Sequence, residues 1–260
     1  EQDMRKMGGI WAKIPFTYGV MWIGSLALAG IPLFAGYYSK DVILESAFAA
    51  HTGAGEYAFW LGIAAAALTA FYSWRLLFLT FHGAPRADEH TMAHVHESPL
   101  VMTIPLGVLA LGAIVTGYLG YDYFVGEKLK AFWGQSILVL PAHHALEGAH
   151  HVPTLVALLP IVVAVLGVAV AYYCYMVRTD VPARVAQSLR PVHRFLLNKW
   201  YFDEFYDWLF VRPARALGHG LWKEGDGAVI DGLGPDGIAS LARNVAQRAS
   251  ALQTGYVYHY

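Results

Sequence analysis

The sequence predicts an all-α, polytopic membrane protein that ends in a helical tail lying on the membrane surface. Of its 260 residues, 57% are hydrophobic and only 14% are charged. Such a composition is far more apolar than that of a soluble domain of similar length. Long uncharged tracts alternate with short polar segments. We therefore expect four transmembrane helices, the first of them discontinuous, followed by a long amphipathic lateral helix.

Four apolar tracts are long enough to cross a bilayer. They cover residues 16–47, 57–81, 99–121 and 152–177. Each exceeds or approaches the roughly 20 residues that span a hydrocarbon core of about 30 Å. Three basic residues precede the first tract, none lies between the first and second, one (Arg86) follows the second, two (Lys128 and Lys130) follow the third, and five follow the fourth within residues 178–199. By the positive-inside rule, the N-terminal side, the loop 82–98 and the tail are expected on the cytoplasmic or matrix side.

The first tract contains signals that break a helix. It carries no charged residue before Lys40 and is interrupted by Gly30, Pro32 and Gly36. Pro32 has no amide hydrogen to donate to the carbonyl of Leu28. We expect two half-helices joined by a non-helical segment between Gly30 and Gly36, an arrangement that is typical of ion and proton paths.

Lys40 and Asp41 follow this break, and the residues alone leave two interpretations open. On a straight helix from Phe16, Lys40 lies about 36 Å along the axis, where its ammonium would reach the lipid headgroups. If the break shortens that path, Lys40 lies at membrane depth. Burial then destabilises its charged form and a nearby carboxylate stabilises it, a balance that permits proton exchange. Adjacent helical side chains diverge by about 100°, so Asp41 can serve a different partner.

Other charged and metal-binding residue types give weaker signals. Arg75, late in the second tract, can extend to the interface or can support the site by pairing with an inward-facing acid. The spacing of His90, His94 and His96 suits a metal, but these residues occupy a short polar loop without cysteine, and no metal site is predicted.

The single cysteine, Cys174, excludes a disulfide framework and a thiolate set for an iron-sulfur cluster. The balance of 18 basic and 19 acidic residues gives no reason to expect nucleic acid.

The tail, residues 179–260, has the pattern of an amphipathic helix that lies at the boundary between lipid and water. Its apolar face comprises Phe202, Phe205 and Leu209, and a separate polar stripe comprises Lys199, Asp203 and Asp207. The apolar face is expected to dock on a neighbouring surface. The glycine-rich interval 218–237 is expected to interrupt this helix before the pattern resumes.

Two segments carry a resemblance to a known family. They are LAGIPL at 28–33 and GYYSKDVIL at 36–44. Together with YSWR at 72–75, FHG at 81–83 and YFD at 201–203, they closely resemble the antiporter-like subunit L of respiratory complex I, the proton-pumping NADH:quinone oxidoreductase. The resemblance implies that residues 1–178 form the C-terminal half channel, with Lys40 and Asp41 in proton transfer. It also implies that residues 179–260 form the lateral helix, leading to a final span beyond Tyr260.

The same resemblance implies the cofactors, partners and location. No cofactor is expected in this chain, whereas NADH, FMN, iron-sulfur clusters and quinone are expected in partner subunits. The expected partners are lipid and other membrane-arm subunits, especially neighbouring antiporter-like ones. The bacterial inner membrane is favoured over the mitochondrial inner membrane. A start without methionine or a signal peptide predicts a piece of a longer chain.

Two alternative functions remain open from the sequence. The first is the large subunit of a multisubunit cation/proton antiporter, which shares the broken helix and its lysine. The second is a purely structural tether of membrane-arm subunits, in which Lys40 only anchors a helix end. The lateral tail favours complex I over the antiporter.

Overall fold

The computed structural model describes residues 3–137, 140 and 144–259. All regular elements in these ranges are helical, which confirms the all-α prediction. The chain divides into two compact units, residues 1–185 and 186–260.

In its described residues, the first unit contains five long α-helices and three short ones. The long helices are α1 (Pro15–Ala29), α2 (Ala35–Ala49), α3 (Gly53–Phe81), α5 (Leu100–Phe124) and α8 (Thr154–Tyr172), which continues as a π-helical turn to Val177. The short ones are α4 (Glu89–Ala93), α6 (Leu129–Trp133) and α7 (Ala145–Ala149), and a further helix, α9 (Val181–Ser188), contains the boundary between the units.

Three helices among the described residues are long and apolar enough to cross a membrane. They are Gly53–Phe81, Leu100–Phe124 and Thr154–Val177. Helix α1 is also apolar but has only 15 residues. Much of α5 is exposed, as at Val101 and Leu109, and such a surface is stable only against lipid or other protein. The chain is an integral membrane protein.

Helix α3 forms the centre of the first unit, because it packs against α1, α2 and α8. Its residues Trp74, Leu77 and Phe78 belong to the main hydrophobic cluster. A methyl group built at Gly167 of α8 would lie 3.0 Å from the Cβ atom of Ala70. Close backbone approach at small residues is the usual way that helices associate in membranes.

The second unit consists of consecutive helical segments. These are α10 (Arg190–Leu197), α11 (Phe202–Tyr206), α12 (Arg212–Gly220) and α13 (Pro235–Ala251), with π-helical segments at Asp207–Val211 and Leu221–Asp231. A kink precedes α11, since Lys199, Trp200 and Tyr201 all have positive φ angles.

The interruption predicted within the glycine-rich interval 218–237 is present, but it is confined to one point of that interval. Helical structure continues through Gly218, Gly220 and Gly225, and the direction changes only at Gly234, directly before Pro235. Each of these glycines costs about 1 kcal/mol in a helix but does not forbid it, whereas proline at the first position of a helix favours a new start.

Candidate functional site

The interruption predicted in the first span is present. Helix α1 ends because Gly30 adopts a left-handed conformation with φ 77°, and its amide bonds the carbonyl of Ala27 at 3.1 Å. Leu33 also has a positive φ, 82°. The new helix α2 begins only at Ala35. The break leaves the carbonyl of Ala29, the last residue of α1, to be satisfied from elsewhere.

The side chain of Lys40 fills that role. Its Nζ atom donates a hydrogen bond of 3.1 Å to the carbonyl oxygen of Ala29. Lys40 is half-buried, so its ammonium is directed to the helix break and not fully into solvent. A backbone carbonyl without a hydrogen-bond donor is costly in a membrane, so this bond stabilises the broken helix.

Two glycines make this position of Lys40 possible. A methyl group at Gly30 would lie 3.2 Å from Cδ of Lys40, so glycine leaves room for the lysine stem. A methyl group at Gly36 would overlap the carbonyl oxygen of Ala27. Glycine at position 36 therefore allows α2 to cross directly against α1.

The side chain of Asp41 is more deeply buried than that of Lys40. Among the described residues, Asp41 is the only charged residue that is buried, with 6% of its surface exposed. Its Oδ1 atom has no hydrogen-bond partner among the described residues, and no ion pair within them joins it to Lys40. A buried carboxylate oxygen of this kind requires water or another polar partner.

One helical turn beyond Asp41 is Glu45, which the sequence analysis did not select. Its carboxylate interacts electrostatically with Asp41 on the same helix, with Tyr121 of α5 and with His150. The ring of Tyr121 lies 5.8 Å from that of Tyr38. The spacing of four residues between Asp41 and Glu45 is the sequence signal that could have identified this second acid.

The N-terminal end of α1 is held by a carboxylate from another segment. Glu97 accepts hydrogen bonds from the amides of Phe16 (2.9 Å) and Thr17 (3.3 Å) and from the Thr17 hydroxyl. Burial alone would raise the pKa of Glu97, but these hydrogen bonds hold the pKa below its ordinary value. Nothing in the sequence pattern marks Glu97 as a capping residue for a helix 80 positions away.

A histidine lies at the same end of the bundle. The hydroxyl of Tyr18 and Nε2 of His82 form a hydrogen bond of 2.9 Å. Burial lowers the pKa of His82 below its ordinary value, which favours the neutral imidazole.

Arg75, the predicted supporting residue, faces an aromatic ring. Its guanidinium carbon lies 5.6 Å from the ring centroid of Tyr175. No carboxylate in the described part of the chain forms an ion pair with it. A cation–π contact of this kind stabilises the contact between α3 and the π-helical end of α8.

The predicted docking residues belong to the second unit. Phe202, Phe205 and Leu209 are exposed, with 53%, 48% and 40% of their surfaces accessible. Of the polar stripe, Lys199 pairs with Asp203 at 3.1 Å, while Asp207 instead pairs with Arg212 at 2.7 Å. Of the residues predicted in the first unit, the structure brings Gly30 and Lys40 into contact at the helix break. Pro32 is exposed, and Asp41 is buried without an ion pair to Lys40 in the described part of the chain.

Possible metal ligands are dispersed. The rings of His90 and His94 lie 4.5 Å apart. Within the described residues, no group of three or more histidine, cysteine or acidic side chains could hold a metal ion.

Known proteins are similar in sequence to this chain, including the segment that contains the helix break. Residues 1–69 match the family described as NADH:quinone oxidoreductase/Mrp antiporter, TM. All of the chain aligns with NADH-quinone oxidoreductase subunit L of Rhodobacter capsulatus (39% identical, 45% of the relative covered) and of Rickettsia bellii (40% identical, 40% covered). It aligns equally with NADH-ubiquinone oxidoreductase chain 5 of Marchantia polymorpha (40% identical, 39% covered).

The chain is similar to these subunits along its whole length, and its residues 1–69 match the antiporter-like family. It spans about two fifths of the length of these curated relatives. The helix break, Lys40 and Asp41 lie within the segment that the family description matches.

Proposed function

We propose that this chain carries part of a proton path in the membrane arm of NADH:quinone oxidoreductase. Its relatives are named as subunits of that enzyme. Quinone reduction in other subunits would drive proton export through the path, and NADH, FMN and iron-sulfur clusters belong to those subunits. Residues 1–178 would form the half channel, with α1 and α2 together acting as the first of four spans.

The observation that supports this most directly is the bond between Lys40 and the carbonyl of Ala29. A lysine that only anchored a helix end would extend its ammonium into the headgroup region. This ammonium lies at the break between the apolar half-helix α1 and helix α2, and the next residue carries a buried carboxylate. Intramembrane ionisable groups at broken helices are typical of ion and proton pathways.

The chemistry of the site follows from the roles of the two side chains. The ammonium of Lys40 releases a proton to a water or carboxylate and becomes a neutral amine, which no longer has to be charged at membrane depth. Asp41 accepts a proton on its unpaired Oδ1 atom, which is free of other hydrogen bonds in the described chain. Reprotonation of the amine restores the bond to Ala29. Arg75 supports the site by stabilising the contact of α3 with α8.

For the second unit we propose the role of a lateral helix at the membrane surface, from residue 179 onward. Its exposed aromatic and aliphatic side chains, among them Phe202, Phe205 and Leu209, require a nonaqueous partner. A neighbouring antiporter-like subunit would supply that surface. The bacterial subunit L relatives favour the bacterial inner membrane.

The full-length alignments favour complex I over a multisubunit cation/proton antiporter, whose name occurs only in the description matched by residues 1–69. Lys40→Met separates a proton path from a structural tether. In the complete enzyme in inverted membrane vesicles, we expect this variant to assemble normally but to translocate less than half as many protons per NADH oxidised. Lys223→Met, on the exposed tail, is the matched control. Wild-type pumping by Lys40→Met would contradict the proposal.

A further inference from the structure

A large cavity that contains several titratable side chains lies beyond the C-terminal end of α2. Its volume is about 800 Å³. It is lined by the end of α5, by α6 and by the segment around α7. Its titratable lining residues are Tyr121, Asp122, Glu127 and Lys130 on one side and His144, Glu147 and His150 on the other. The cavity has room for many water molecules, since one water occupies about 30 Å³ in the liquid.

Two carboxylates lie one turn apart on α2, and the second lies nearer to this cavity. Asp41 and Glu45 are four residues apart, so they lie on the same face of the helix and about 6 Å apart along its axis. Asp41 is the buried member, with its unpaired Oδ1 atom. Glu45 is less buried and lies nearer to the cavity end of the helix.

Glu45 is linked electrostatically to two residues of the cavity wall. Its carboxylate interacts with the imidazole of His150 and with the hydroxyl of Tyr121. Helix α7 packs closely on α2, because a methyl group at Gly148 would lie 3.0 Å from Cβ of Ala49. This packing holds His150, two residues later, beside the end of α2.

We propose that Glu45 and His150 relay protons between Asp41 and this cavity, which is the outer mouth of the path. The inference rests on the proposed function of Lys40 and Asp41. The protonated Asp41 transfers its proton through water to the Glu45 carboxylate. The Glu45 carboxyl group then protonates the imidazole of His150, and the imidazolium releases the proton to water in the cavity. Each group returns to its starting form, so the steps balance in charge and in protons.

The charged residues that line the cavity are mostly acidic and favour the transfer of a proton into it. Asp122, Glu127 and Glu147 face the cavity with Lys130 as the single lysine or arginine of its described lining. The resulting negative field stabilises the imidazolium of His150 and attracts protons from the path. His144 already pairs with Glu147 at 3.2 Å, whereas His150 is available to accept a proton from Glu45.

The test compares Glu45→Gln and His150→Gln with Lys40→Met in the assembled enzyme in inverted vesicles. We expect both relay variants to assemble, to oxidise NADH and to translocate protons at less than half the wild-type rate per NADH. Glu56→Gln, an exposed acid in the first turn of α3 outside the cavity lining, is the control and should pump normally.

Chemical rescue separates a relay from a structural role. Imidazole loaded into the vesicle lumen should restore at least part of the pumping of His150→Gln, because free imidazole can carry the proton. If Glu45→Gln fails to assemble, the rescue of His150→Gln decides the question, and its failure would overturn the relay. Normal pumping by both relay variants with loss in Lys40→Met would refute the relay and leave the proposed function intact. Normal pumping by Lys40→Met would refute the proposed function itself.

Discussion

The ammonium of Lys40 bonds the carbonyl of Ala29, the residue at which the first half-helix ends. The side chain that can carry a proton is thus also the side chain that stabilises the break in the helix. Removing the charge affects both roles, so stability and proton transfer must be measured separately at this site.

The close crossing of α1 and α2 gives a prediction about stability. Gly36→Ala places a methyl group against the carbonyl oxygen of Ala27 and should lower the free energy of unfolding by about 1–3 kcal/mol. Thermal unfolding in detergent measures this change. Gly19→Ala, in α1 with no atom near its added methyl group, is the control and should be neutral or stabilising. Equal behaviour of the two variants would argue against a tight crossing.

The carboxylate at the start of α1 gives a second prediction. Glu97→Ala removes the acceptor of the Phe16 and Thr17 hydrogen bonds and should cost about 1 kcal/mol, as loss of a helix cap does. Because the pKa of Glu97 is below its ordinary 4.5 in the folded protein, its contribution is present above pH 4.5 and is lost as the pH falls through the folded value. Glu89→Ala, in the same loop, is the control. Thermal unfolding at several pH values tests both points.

His82 gives a prediction with a defined pH dependence. Burial lowers its pKa from 6.5, so the unfolded chain binds more protons between that value and the folded pKa. Stability should therefore rise as the pH increases through this window and reach its full value above 6.5. A titration of the His82 ring by nuclear magnetic resonance should show a midpoint below 6.5. A midpoint at or above that value would contradict the buried environment.

The exposed apolar face of the tail gives a fourth prediction. Changing Phe205 and Leu209 together to Asp should reduce copurification of neighbouring membrane-arm subunits, because aromatic and aliphatic burial dominates such contacts. Lys199→Ala removes only an exposed ion pair and should have little effect. Native gel electrophoresis of the solubilised complex measures the outcome. Unchanged assembly in the double variant would contradict docking through this face.

Local signals in the sequence predicted the broken helix well. Gly30 readily adopts the left-handed conformation that ends a helix, and Pro32 lacks the amide hydrogen that would continue it, so the end of α1 follows from the residues themselves. The contacts of the site required the structure, since the bond from Lys40 to Ala29 depends on how two half-helices cross. The position of Tyr121 beside Tyr38 depends on α5, which is distant in sequence. The interruption of the tail occupies one point of the predicted glycine-rich interval, because glycine only weakens a helix, whereas Pro235 starts a new one.

The close approach of Gly36 to the carbonyl of Ala27 also determines which part of the site can move quickly. With no space between the two half-helices at this point, the break is a fixed crossing and not a hinge. The mobile part is then the four-carbon stem of Lys40, which changes rotamer without moving the backbone. Exposed side chains change rotamer in picoseconds to nanoseconds and a half-buried, hydrogen-bonded lysine does so more slowly, whereas collective helix motions take microseconds to milliseconds. The lysine can therefore re-equilibrate many times within a single turnover of a slower partner enzyme.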